Sequence, residues 1–143
     1  MSKAGYLLDV NILISLLDPD HVHYRKVRRW LVGVNQPWGT CPFTEAGFFR
    51  IATDPRAGQF SVKEACEALQ LLSEHSRFRF WPITASWATL AAPFMNQIFG
   101  HKQITDAYLL GLAVKEKGVL VTLDRGIRHM AGERYAGNVL VLE

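Results

Sequence analysis

Cysteine is scarce in this chain of 143 residues: there are two, Cys41 and Cys66. Two thiols make no disulfide framework, and no second Cys or His stands at ligand spacing from either, which argues against zinc. Both are expected to be small buried hydrophobes. Long apolar runs are missing too. The longest, such as AYLLGLAV at residues 107 to 114, fall short of the ~20 residues that cross a bilayer. No basic region followed by a purely apolar stretch opens the chain, because Asp9 interrupts it, so no secretory leader is expected. Linkers rich in Ser, Gly or Pro, low-complexity segments and internal repeats are also lacking. The expectation is a soluble cytoplasmic protein with one domain over residues 1 to 143.

What is present alternates. Strand-like runs occur at GYLLDV (5 to 10), PWGTC (37 to 41), FRFWPI (78 to 83), GVLVTLD (118 to 124) and NVLVLE (138 to 143). Most are continuously apolar, as strands covered on both faces should be. Between them lie helical patterns. HVHYRKVRRWLVGV puts Val27, Trp30, Leu31 and Val34 on one face and Arg25, Lys26, Arg28 and Arg29 largely on the other. SVKEACEALQLLSEHS opens with Ser61 and Glu64 at capping-box spacing. SWATLAAPFMNQIF reads as a helix bent at Pro93, and TDAYLLGLAVKEKG as a nearly all-apolar helix starting at a Thr-Asp cap. Strands alternating with helices predict an α/β domain with a mostly parallel sheet, whose ligands bind beyond the carboxyl ends of the strands.

Acids are few, 13 against 16 Lys and Arg, for a net charge of +3. Four of them take unusual places. Asp9 ends the first strand, Asp124 ends VLVTLD, Glu45 opens the helix after PWGTCPFT, and Asp106 opens the apolar helix. Each alone could be a turn acid or a helix-terminus acid. Together, in a parallel sheet, all four can converge on one edge. Clustered carboxylates repel and raise one another's pKa unless a cation neutralises them, and hard ions such as Mg²⁺ or Mn²⁺ prefer oxygen ligands. Such ions can ionise a water and align it with a phosphodiester. With these four set aside, nine acids stand against 16 cations, a surface attractive to a nucleic acid backbone.

The order Asp9-Val-Asn11, Thr44-Glu45-Ala46, Thr105-Asp106-Ala107 and Thr122-Leu123-Asp124 resembles the PIN domain ribonucleases. More narrowly, Gly100 to Leu110 and Thr122 to Gly126 resemble the VapC-type toxins of type II toxin–antitoxin systems. The resemblance implies a three-layer αβα fold with five parallel strands in order 3-2-1-4-5. It also implies an Mg²⁺- or Mn²⁺-dependent endoribonuclease, usually a homodimer, restrained by a small antitoxin. Asp9, Asp106 and Asp124 would ligate metal, and Glu45 would do so directly or through a water. Asn11 would hold the Asp9 loop, and Thr44 and Thr105 would orient neighbouring acids. One departure stands out: many PIN domains carry another acid where this chain has Gly126, which weakens a second metal site.

Arg50, Arg56, Lys102, Arg125 and Arg128 are candidates for phosphate contacts, His101 for meeting substrate or orienting a carboxylate, and Trp38 for stacking a base or for packing. Phe48, Phe49 and Ile51 are expected in core or dimer contacts, and Trp81 and Trp87 in core or interface. Two other readings stand beside the nuclease. A phosphatase or phospho-acceptor would use Asp9 as nucleophile, although Asn11 stands where such a phosphatase wants an acid. A non-catalytic module would keep the fold and metal and act through a partner.

Overall fold

A computed structural model describes residues 5–58 and 60–143. Its sheet has four parallel strands in the order β2-β1-β3-β4, formed by β1 (Tyr6–Leu8), β2 (Trp38–Gly39), β3 (Val119–Thr122) and β4 (Val139–Val141). At its centre Tyr6, Leu7 and Leu8 pair with Val119, Leu120 and Val121. Successive side chains on a strand point to opposite faces. Leu7 and Leu120 accordingly enter one core, and Leu8 and Val121 the other, all fully buried. Each such burial contributes on the order of 2 kcal/mol.

Helices cover both faces. The Leu8 side packs against α1 (Val10–Leu17), α2 (Tyr24–Gly33), α3 (Pro42–Ala52) and α4 (Val62–Ser73), through Ile12, Val27, Phe48 and Leu69. The Leu7 side packs against α5 (Trp87–Ala91), α6 (Ile104–Lys115) and α7 (Arg125–Ala131), through Leu90, Leu110 and Ile127. This is the expected three-layer αβα arrangement. Among the described residues no helix is long and apolar enough to cross a membrane.

Several expectations need correction. The fifth strand, at residues 78 to 83, is reduced to one parallel bridge between Phe78 and Trp38. It occupies the position the order 3-2-1-4-5 assigns to it, donating from Arg79 N to Trp38 O at 3.0 Å and from Trp81 N to Thr40 O at 2.7 Å. Pro82 then offers no amide donor, and a ladder cannot continue through it. The backbones run so close here that a Cβ on Gly39 would lie 1.7 Å from Arg79 O. The bend at Pro93 is a change of helix type, from α5 to a 3₁₀ stretch over Ala92–Gln97. Helix α6 starts at Ile104, one residue before Thr105, and Gln103 at its N-cap makes no side-chain capping bond. Cys41 is buried, as expected, but Cys66 is exposed. The Ser61–Glu64 capping box forms as read, with Ser61 N donating to Glu64 Oε1 at 2.9 Å and Glu64 N to Ser61 Oγ at 3.1 Å.

Candidate active site

Asp9 sits where β1 ends and α1 begins. Its Oδ1 caps the helix by accepting from Val10 N at 2.7 Å, and its Oδ2 accepts from Thr122 Oγ1 at 2.8 Å. Asp124 holds the matching place after β3, capping α7 by accepting from Gly126 N at 2.8 Å. Because β1 and β3 are sheet neighbours, both acids leave the same carboxyl edge. Asp106, in the first turn of α6, joins them from the helix above that edge, and the three line one cavity of about 1050 Å³.

A polar staple locks the two strand ends together. The Thr122 hydroxyl donates to Asp9, accepts from Asn11 Nδ2 at 3.2 Å and accepts from Asp124 N at 3.1 Å, which uses its full hydrogen-bonding capacity. Asn11 completes the staple by accepting from Leu123 N at 3.1 Å through Oδ1. Asn11 thus bridges the start of α1 to the chain after β3. Thr122 was not among the anticipated site residues, although it is the one polar side chain inside the apolar run VLVTLD.

Electrostatically the site is short of positive charge. Burial pushes the Asp9 carboxyl up, against the lowering effect of its bonds to Thr122 and Val10, and the Asp124 charge adds to the rise. Asp106 is pushed up to about 7, first by burial and then by the charges of Asp9 and Asp124. Three oxygen-donor anions that destabilise one another suit a hard divalent cation. Among the described residues no group of three or more His, Cys, Asp and Glu side chains is already gathered into a metal cluster. The donor chemistry fits such an ion nonetheless, because a cation would offset both the burial and the like charge that push Asp106 up.

The sequence profile of the PIN domain matches residues 6–133, and those residues contain all three aspartates and the staple. The chain belongs to the PIN domain family. Among similar proteins, Ribonuclease VapC44 of Mycobacterium tuberculosis is 38% identical over 85% of this chain and 87% of that protein. Ribonuclease VapC29 of the same organism is 35% identical over 89% and 91%. In solved structures, a toxin–antitoxin complex from Klebsiella pneumoniae superposes with a TM-score of 0.64 at 19% identity, covering 96% of this chain and 98% of that one. The M. tuberculosis VapC20 toxin, which cleaves the sarcin–ricin loop, gives 0.60 at 13%, covering 78% and 83%. These last two likenesses show the shared fold.

In this PIN domain the other expected residues divide. Thr105 and Arg50 line the cavity with the aspartates. Glu45 does not. The side of α3 that lines the cavity carries Phe43, Ala46, Gly47, Arg50 and Ile51, at i, i+3, i+4, i+7 and i+8. Glu45 lies off this stripe, and its Oε2 accepts from Thr40 Oγ1 at 2.6 Å. Thr40 was also not anticipated; it directly follows β2, whereas Thr122 is the last residue of β3. Thr44 does not orient Glu45: it is fully buried and caps its own helix, accepting from Cys41 N at 3.0 Å. His101 and Lys102 are exposed in a 3₁₀ turn ahead of α6, outside the cavity lining. Arg125 and Arg128 flank the edge but pair with Glu143 at 3.3 and 3.5 Å, and Arg56 pairs with Asp54 at 3.2 Å. Trp38 is 1% exposed and packs against Phe78, so it offers no free face to a base.

Proposed function

We propose that the chain is the toxin of a toxin–antitoxin pair, a metal-dependent endoribonuclease that hydrolyses phosphodiester bonds in RNA. Family membership supports the reaction class, since the relatives at 35–38% identity are named ribonucleases. The observation that carries the mechanism is the convergence of Asp9, Asp106 and Asp124 on one cavity, with Asp106 pushed up to about 7. These three would hold Mg²⁺ or Mn²⁺, while Glu45, tied to Thr40 off the cavity lining, would not ligate it. When bound, such an ion would neutralise charge and lower the pKa of a water so that its hydroxide serves as nucleophile. Asp9 and Asp124 would hold it from the two stapled strand ends, which Thr122 and Asn11 keep in register. Phosphoryl transfer asks mainly for positioning and electrostatics, so the site requires no Ser, Cys or Lys nucleophile.

The partner class follows from the neighbours. The toxin–antitoxin complex from Klebsiella pneumoniae and VapBC-1 from nontypeable Haemophilus influenzae share the fold over most of the chain, which supports a cognate antitoxin. Exposed apolar side chains at Met95, Phe99 and Ile104 support burial against a second copy in a homodimer. We place the activity in the cytoplasm, where its RNA would be. The purified protein should cut single-stranded RNA with Mg²⁺ or Mn²⁺ and stop when chelator is added, and Asp9→Asn should be inactive. Cutting that persists in chelator, or an Asp9→Asn variant as active as wild type, contradicts the metal mechanism.

A further inference from the structure

Besides the three aspartates, the same cavity is lined by Phe43, Ile51, Ile83, Trp87 and Tyr108, a far larger apolar area than a scissile phosphate needs. Among the described residues Arg50 is the one Lys or Arg on its lining. We propose that this wall is a stacking shelf for one unpaired nucleobase of the RNA, with Phe43 as the stacking face and Arg50 holding the adjoining phosphate. The inference rests on the ribonuclease reading above and adds which residues position the substrate.

Three observations select Phe43. It is 40% exposed, whereas Phe48 on the same helix is fully buried. Its ring meets Tyr108 edge-on, at 5.5 Å between centroids and 71° between planes, so it is braced without being covered. The polar atoms of its aromatic neighbours are already engaged: Tyr108 Oη donates to Ala85 O at 3.1 Å and Trp87 Nε1 to Ile104 O at 2.9 Å. The shelf therefore presents π-faces and hydrocarbon but no aromatic donor for the edge of a base.

Two properties of the substrate follow. A paired base has both faces covered in its stack, so the shelf selects unpaired nucleotides. Without edge recognition, the preference at this position follows stacking strength and stays weak across the four bases. A nucleotide matches both parts of the lining: Arg50 supplies a cation for a phosphate, and the apolar wall supplies area for a base.

The test is a double-mutant cycle on kcat/KM in Mg²⁺, using wild type and Phe43→Ala on an RNA of mapped cut site and on the same RNA with an abasic nucleotide at each flanking position. At one position, base removal should lower wild-type cleavage roughly 5- to 100-fold. Phe43→Ala should show that loss on intact RNA and no further loss on the abasic RNA, while Phe43→Trp keeps wild-type cutting. Binding of uncut RNA by Asp9→Asn, read by fluorescence anisotropy, should weaken in parallel when Phe43→Ala is added. Additive losses, normal cutting by Phe43→Ala, or a loss that tracks dissociation of a dimer in sedimentation would overturn the shelf. If wild type neither binds nor cuts any RNA, the ribonuclease reading falls and the shelf falls with it; if wild type cuts and the cycle is additive, only the shelf falls.

Discussion

The centre of the sheet and its β2 side treat their acids differently. At the β1–β3 seam, Asp9 is 6% exposed and bonded through both oxygens, and it shares the Thr122 hydroxyl with the backbone that carries Asp124. On the β2 side the strand is two residues long, its outer neighbour is a single bridge, and Glu45 is tied to Thr40 away from the cavity lining. The difference teaches where rigidity was placed. Acids on the fully paired strands are positioned by the core itself, whereas Glu45 depends on the phase of a helix and one hydroxyl.

Breaking the seam should matter most. Asp9→Asn is expected to lower RNA cleavage by at least about 10²–10³-fold, the scale of a lost charge-stabilising group, with the fold intact by circular dichroism. Thr122→Val removes the hub yet keeps the size of the side chain. It should lower kcat/KM by about 10–100-fold, as loss of a ligand-orienting partner does, and cost about 1–3 kcal/mol of stability in urea unfolding.

The pH dependence sharpens the same contrast. Asp106 is pushed up to about 7 in the folded protein from an ordinary 3.8, so between those values the folded state holds a proton that the unfolded state has released. Stability of the metal-free protein should therefore fall as pH rises from about 4 to about 7 and level off above that. In chelator, wild type should lose about 3–8 °C of Tm across this window relative to Asp106→Asn. A difference that is flat, or that rises with pH, would show that burial and like charge do not act on Asp106 in this way. On the β2 side the effect should be smallest: Thr40→Val, which frees Glu45, should change kcat/KM less than about tenfold.

Much of this was legible in the residues, for identifiable reasons. Asp9, Asp106 and Asp124 each sit at the junction of an apolar run and a helix, and a parallel sheet sends such junctions to one edge whatever the loops do. The strand order came only with the resemblance to PIN domains, because the residues alone do not set which strands are neighbours. The fifth strand could not, because its apolar composition hid Pro82 and an outer edge where Phe80 is 49% exposed. Helix α7 was missed, since RGIRHMA is only seven residues long, too short for a periodic signal. The position of Glu45 depends on the phase of α3, set by its start at Pro42; residue type cannot reveal it. Thr122 and Thr40 were overlooked as single hydroxyls in strand-like runs, whose bonds to Asp9 and Glu45 only the folded chain brings about.

The central claim is that the three aspartates, and not Glu45, form the ion-binding unit. Mn²⁺ titration followed by electron paramagnetic resonance measures this directly on wild type, Asp9→Asn, Asp106→Asn, Asp124→Asn and Glu45→Gln. Wild type should bind, each aspartate variant should weaken binding by at least about tenfold, and Glu45→Gln should stay within about tenfold of wild type. Strong binding retained by the aspartate variants, or a loss in Glu45→Gln as large as theirs, would contradict the account.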